Sequence, residues 1–219
     1  MSETLIQQAA ETLNAASRIA VLTGAGVSKE SGVPTFRDAQ TGLWAKYDAT
    51  QLANAVAYLT NPKLVWDWYT MRREMMSGAK PNPGHHSIAE LQRRKPSTRI
   101  ITQNVDDVHE QAGNTDVIHL HGNIAQNKCF ANCQGDPTMI DVSTLEWDGE
   151  SGPPECPYCG KLVRPHVVWF GEILPSGAIN TAVQLTLDCD VMLVVGTSGL
   201  VTPAAALPGH AKDKGAVII

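Results

Sequence analysis

The chain has 219 residues, 43% of them hydrophobic, with 17 Lys+Arg against 22 Asp+Glu and a formal net charge of -5. That length allows one large domain, or one domain carrying a smaller insertion, with enough apolar side chains to bury a core. An acidic balance with no basic stripe argues against direct nucleic-acid binding but does not exclude a cationic partner such as a lysine-bearing protein tail.

In chain order, Leu5, Ile6, Ala9, Leu13 and Ala16 approximate helical spacing, so Glu3 to Ala16 reads as an amphipathic helix. Arg18 to Thr23 carries the apolar run Ile19-Ala20-Val21-Leu22, a short buried strand leading into Gly24-Ala25-Gly26. Strand, glycine turn and a helix starting at Ser28-Lys29-Glu30 are dinucleotide-binding syntax, in which glycines let backbone N–H groups approach a pyrophosphate. The fingerprint is incomplete, because Lys29 stands where a third glycine belongs. A Pro-containing loop from Gly32 to Asp38 also replaces the acidic strand end that a hydride-transfer enzyme needs. Helical segments are expected over Gln51 to Leu59 and Pro62 to Met76, and strands over Arg99 to Thr102, Val117 to Leu120 and Asp190 to Gly196. From Ile124 to Leu162 the composition shifts to Cys, Gly, Pro and Asn, which reads as a small inserted module. Val217-Ile218-Ile219 reads as a further strand, with the large domain expected to continue past it.

Cys129-x3-Cys133 and Cys156-x2-Cys159, separated by 22 residues, carry the strongest chemical signal. Two tight turns, each offering two thiolates, complete a tetrahedron of soft ligands suited to one zinc, with no position left open for catalysis. Cys189 is left over and reads as a buried inert thiol. No basic stretch followed by an apolar core marks Met1 to Arg18 as an export signal, and Val191 to Val195 is far short of the roughly 20 residues of a membrane span. A cytoplasmic, reducing setting and no membrane partner are therefore expected.

Gln103, Asn104 and Asp106 follow an apolar strand, at the edge where open α/β sheets bind ligands, and suit ribose hydroxyls and a carboxamide. His121 sits just past another strand, before Gly122 and the cysteine module. Its ordinary pKa near 6.5 makes it the natural general base, ahead of His85, His86, His109, His119, His166 and His210. Tyr69 and Arg72 are three apart and share a helix face, with Arg73 pointing about 100° away.

These motifs together resemble the sirtuin family of NAD-dependent protein-lysine deacylases. The resemblance rests on Gly24-Ala25-Gly26-Val27-Ser28, Gly32-Val33-Pro34-Thr35-Phe36-Arg37, Thr102-Gln103-Asn104-Val105-Asp106, His121-Gly122, the four cysteines and Gly196-Thr197-Ser198. It implies an α/β fold: a Rossmann-like parallel-sheet domain (1–37, 84–123 and 164–219), a helical module (38–83) and a four-cysteine zinc module (124–163). NAD and acyl-lysine would meet between them. Gly24, Ala25, Gly26, Ser28, Thr35, Phe36, Arg37, Gln103, Asn104, Asp106 and Gly196 to Ser198 would hold NAD, with Thr35 standing where many members carry Asp. NAD would be consumed: the acyl oxygen attacks C1′ of the nicotinamide ribose, nicotinamide leaves, His121 acts as base, and O-acyl-ADP-ribose and free lysine result. Val167 to Glu172 resembles the family's substrate-binding strand, which would make Val168 and Phe170 substrate contacts. The resemblance further implies that the chain ends before the segment that contacts adenine, so that NAD binding is expected to be weak.

Within the family, Tyr69-x-x-Arg72 and Ala49 resemble the class III branch, which removes succinyl, malonyl or glutaryl groups. The expected partners are proteins carrying acylated lysine. Plain deacetylation, protein mono-ADP-ribosyl transfer and a non-catalytic NAD-sensing zinc module are the rival readings.

Overall fold

The computed structural model describes residues 3–33 and 48–219. Helix α1 (Glu3–Ala15) opens the described chain. Asp190 then turns it into strand β1 (Ile19–Thr23), its Oδ2 accepting the backbone N–H of Ser17 at 3.0 Å and of Arg18 at 2.8 Å. There follow α2 (Ala49–Leu52), α3 (Ala55–Thr60), α4 (Pro62–Ser77), α5 (Pro83–Arg94), β2 (Arg99–Thr102), α6 (Val108–Gln111), β3 (Ile118–His119) and β4 (Gly122–Cys129). The chain then runs through β5 (Val163–Val167), α7 (Ser176–Asp188), β6 (Val191–Val195), α8 (Leu207–Asp213) and β7 (Val217–Ile218).

Five strands form one parallel sheet in the order β3-β2-β1-β6-β7. All five residues of β1 are buried, as expected for a central strand covered on both faces. The two-residue period of the strand divides the core. Ala20 and Leu22 pack with Ala182 of α7 and Leu207 and Ala211 of α8, whereas Ile19 and Val21 pack with Ile88 of α5 and Leu13 of α1.

Two expectations change. The glycine turn after β1 opens onto a single 3₁₀ turn, Lys29–Ser31, rather than an α-helix. Gly32 ends it in the left-handed conformation, at φ 81°. The segment expected as one helix over Gln51 to Leu59 is two, because the Asn54 side chain accepts the Ala57 N–H and starts a new helix there. Asn61 and Asn82 cap α4 and α5 in the same way, each followed by proline at the first helical position.

Helices α2 to α4 share one apolar cluster with Ile124 of β4, Val167 of β5 and Trp169. Strands β4 and β5 pair antiparallel as a two-stranded ribbon, with Cys129 opposite Val163. The cysteine turns hang from this ribbon in a small core formed by Trp66 of α4, Cys129, Ile140, Cys156 and Val163.

Candidate active site

The four cysteines converge. Cys129 closes β4, the Sγ atoms of Cys129 and Cys159 lie 3.6 Å apart, those of Cys133 and Cys156 lie 3.8 Å apart, and all four fall within 4.8 Å of one another. A tetrahedral zinc with bonds of about 2.3 Å places its sulfurs about 3.8 Å apart, so the donor set fits zinc in type, number and spacing. Four protein sulfurs close the shell, which makes the site structural. Cys189 lies elsewhere, buried, its thiol against the Thr186 carbonyl at 3.2 Å.

The polar floor forms where the loops after β1, β2 and β6 meet, at the carboxyl edge of the sheet. Gly26 donates its N–H to the Gly196 carbonyl at 2.7 Å, and Gly24 donates to Val195 at 3.2 Å. A Cβ on Gly26 would stand 2.7 Å from that same carbonyl oxygen, so the close approach of the two loops requires glycine. These two amides therefore lock loop to loop, whereas the sequence pattern assigns them to a pyrophosphate. Gln103 ties the third loop in, its Nε2 donating to Thr197 Oγ1 at 2.8 Å. Ala25, Gly196 and Ser198 remain exposed at this junction.

Beneath lies a buried network. Asn104 Nδ2 donates to Ser28 Oγ at 3.0 Å. His85 Nδ1 faces the Asn82 N–H, so its Nε2 carries the hydrogen and donates to the same Ser28 oxygen at 3.4 Å. Ser28 can then give its own hydrogen to the Asp106 carboxylate. Burial raises the Asp106 pKa, opposed by hydrogen bonds from the Val108 N–H and Ser28. The Asn104 amide is thereby oriented, leaving its oxygen as the acceptor that it presents. Thr35, Phe36 and Arg37 lie outside the described residues.

His121 is held by its Nδ1, 2.9 Å from the Gln103 carbonyl. A carbonyl only accepts, so Nδ1 carries the hydrogen and Nε2 keeps its lone pair. Burial lowers the His121 pKa, with the Gln103 carbonyl acting in the opposite direction. The result is a neutral imidazole with a free basic nitrogen at neutral pH. His119 differs. Burial depresses its pKa, but the Glu110 carboxylate 2.7 Å from Nε2, with help from the Asn104 carbonyl, reverses the sign and leaves it raised. Gly122 follows His121 with φ 78°, and a Cβ there would collide with the His166 carbonyl oxygen. His121 is thus fixed where β4 begins.

Of the expected substrate residues, Ala49 and Tyr69 share the apolar cluster of helices α2 to α4, which also takes in Trp169. Tyr69 is 2% and Arg72 8% exposed, with the Arg72 guanidinium 5.0 Å from the Trp68 ring centre. Arg73 points elsewhere, donating to the Ile124 carbonyl at 2.6 Å and to Asn127 Oδ1. Val168 donates its N–H to the His121 carbonyl at 2.9 Å and packs against the sheet core, and Phe170 is exposed. The expected extended stretch ends early. Only Val167 lies in β5, and Trp169 to Glu172 form a turn closed by Arg164, whose guanidinium grips the Glu172 carboxylate. The N–H groups of Val168, Trp169 and Phe170 are engaged inside the fold, by the His121 carbonyl, the Glu172 carboxylate and the Ala53 carbonyl.

The chain matches the Sir2 family over residues 24–203. The chain belongs to the Sir2 family. It is 49% identical over 213 residues to NAD-dependent protein deacylase 1 of Pseudomonas aeruginosa, covering 95% of this chain and 84% of that protein. It is 52% identical over 212 residues to the NAD-dependent protein deacylase of Ralstonia nicotianae, covering 97% and 83%. Among solved structures it resembles a Sir2 homologue in complex with NAD, with TM-score 0.86 and 42% identity over 100% of this chain and 81% of that one. It also resembles a Sir2 bound to an acetylated peptide, with TM-score 0.83 and 31% identity over 97% and 84%.

Within this Sir2 fold, sequence reasoning passed over the supports beneath the site. His109 Nε2 lies 3.0 Å from Thr23 Oγ1, which donates to Thr102 Oγ1 at 2.8 Å, and burial takes the His109 pKa down to about 4. His119 grips the Asn104 carbonyl at 3.1 Å just as His121 grips that of Gln103. The two-residue spacing of His119 and His121, which puts both on one side of an extended chain, is the signal that would have found the first.

Proposed function

We propose that this chain removes acyl groups ending in a carboxylate, succinyl and malonyl among them, from protein lysine. The broader activity is that of the family: the chain is an NAD-dependent protein-lysine deacylase with a structural zinc site. The observation that carries the finer reading is the burial of Arg72 beside Tyr69 in an otherwise apolar cluster. An acetyl group needs no cation at its end. A succinyl carboxylate loses its water on entering such a pocket, and a guanidinium offsets that cost with two parallel N–H bonds.

NAD, when bound, supplies a ribose carbon that accepts the acyl oxygen as nicotinamide departs. Ala25, Gln103, Asn104, Asp106 and Thr197–Ser198 would line the NAD side, with Asn104 and Asp106 pre-oriented by Ser28. His121, neutral and tautomerically fixed, takes a proton from a ribose hydroxyl at Nε2. Acylated proteins are the substrates. The cytoplasm is the compartment, consistent with five unbridged cysteines, four of them gathered for a metal.

The test compares kcat/KM on matched acetyl- and succinyl-lysine peptides. Arg72→Met should lower the succinyl-to-acetyl ratio roughly ten- to a hundredfold, matching about 1.5–3 kcal/mol for a hydrogen bond to a charged group. If both activities fall equally, Arg72 is structural and the plain deacetylase reading takes over.

A further inference from the structure

We infer that Trp169 is a specificity-positioning residue, whose indole N–H fixes the Tyr69 hydroxyl as a donor toward the acyl carboxylate while Arg164 and Glu172 hold the indole in place. The inference rests on the acidic-acyl reading above and adds a residue to it.

Tyrosine O–H both donates and accepts, so its direction is set by its neighbours. Indole N–H only donates. Trp169 Nε1 lies 2.9 Å from the Tyr69 oxygen, both residues being 2% exposed. Tyr69 is therefore the acceptor in this pair, and its own hydrogen must go to something else. A carboxylate is purely an acceptor, the one polarity that this arrangement prefers. An O–H that already accepts a hydrogen bond is also polarised toward donating.

The turn that carries the indole is held by a stacked guanidinium and by backbone hydrogen bonds. The Arg164 guanidinium lies over its ring at 3.3 Å from the centre. That guanidinium forks onto both Glu172 oxygens, and Nη2 also donates to the Val167 carbonyl at 2.6 Å. Glu172 Oε2 accepts the Trp169 backbone N–H at 2.8 Å. The neighbouring Val168 N–H is bonded to the His121 carbonyl at 2.9 Å. One short turn thus ties the base, the indole and the Tyr69 hydroxyl together. A forked ion pair with its guanidinium buried costs desolvation and is weak grounds for stability alone; here it fixes a geometry that the substrate meets.

The clean probe removes the N–H and keeps the shape, by placing 3-benzothienylalanine at position 169 of the full chain. The readout is the ratio of kcat/KM on succinyl- and acetyl-lysine peptides, with KM and kcat separated. We expect the ratio to fall about tenfold, mainly through KM for the succinyl peptide, with the melting temperature little changed. Tyr69→Phe should lower the ratio similarly, and the isostere in a Tyr69→Phe background should lower it no further, since the two act as one unit. Should the isostere fold poorly, the conservative Glu172→Gln, which keeps an acceptor for the Trp169 N–H but weakens the clamp, should produce a smaller fall in the same ratio. An unchanged ratio in the isostere, or fully additive losses in the double variant, would overturn the inference. Arg72→Met separates the two levels. If it lowers the ratio while the isostere does not, only the role of Trp169 falls; if Arg72→Met leaves the ratio unchanged, the acidic-acyl reading falls first.

Discussion

A histidine serves as base only if one nitrogen is free, unprotonated and aimed. His121 meets the first two conditions through a carbonyl on Nδ1 and through burial, and the fixed Gly122 backbone supplies the third. His121→Ala should therefore lower turnover by roughly 10²–10⁴-fold, the usual worth of a positioned general base, while calorimetry still detects NAD binding. The pH dependence follows in sign. A base works unprotonated, so kcat should fall as pH drops through the His121 pKa, and burial places that midpoint below the ordinary 6.5. An acid limb centred above 6.5 would assign the limb to another group. His119 is the natural foil, since Glu110 raises its pKa and occupies the nitrogen that a base would need.

Elements hold these residues through a few close contacts, and the glycine loops show it best. The loops after β1 and β6 approach until Gly26 and Gly196 touch backbone to backbone. Gly26→Ala would push a methyl into the Gly196 carbonyl, which cannot rotate away as a side-chain tip would. The expected result is a separation of the loops: weaker NAD binding by calorimetry and lower kcat/KM, with the circular dichroism spectrum preserved. NAD affinity equal to that of the wild type would show that the loops relax freely. This contact also shows where sequence stops being informative. The apolar runs at Ile19–Leu22, Ile100–Ile101 and Val191–Val195 foretell the three middle strands, because a strand buried on both faces needs little else. The cysteine spacing foretells a metal tetrad, and Tyr69 and Arg72 share a helix face by simple periodicity. The 3₁₀ turn at Lys29–Ser31 was not legible, since Gly32 stops the helix that the glycine motif predicts. Nor was the bond between Trp169 and Tyr69, which joins residues 100 apart in sequence. Such pairings depend on how modules dock, and no local pattern encodes that.

At the scale of the whole molecule, the cysteine ribbon bears on the chemistry although its metal site has no open position. Strand β4 starts at Gly122, one residue past His121, and ends at Cys129, one of the four clustered cysteines. Helix α4 presents Tyr69 and Arg72 on one side. On another it is fastened to the ribbon by Arg73, which reaches Ile124 and Asn127, and by Trp66, packed among Cys129, Cys156 and Val163. Metal binding supplies folding free energy to such a module, because the unfolded chain offers no preformed tetrad to bind it. The loops that would hold NAD are different in kind: they hang from β1, β2 and β6 and are braced by the sheet. Removing zinc should therefore divide the molecule's functions. We expect about one zinc per chain, and both chelation and Cys156→Ser should abolish deacylation and lower the melting temperature, while NAD binding measured by calorimetry persists. Re-adding zinc should restore the chelated sample and leave the variant inactive. Full deacylation by a metal-free, folded sample would show that the ribbon and α4 hold the base and the acyl pocket without the metal, and that the coupling argued from Arg73 and Trp66 is too weak to matter.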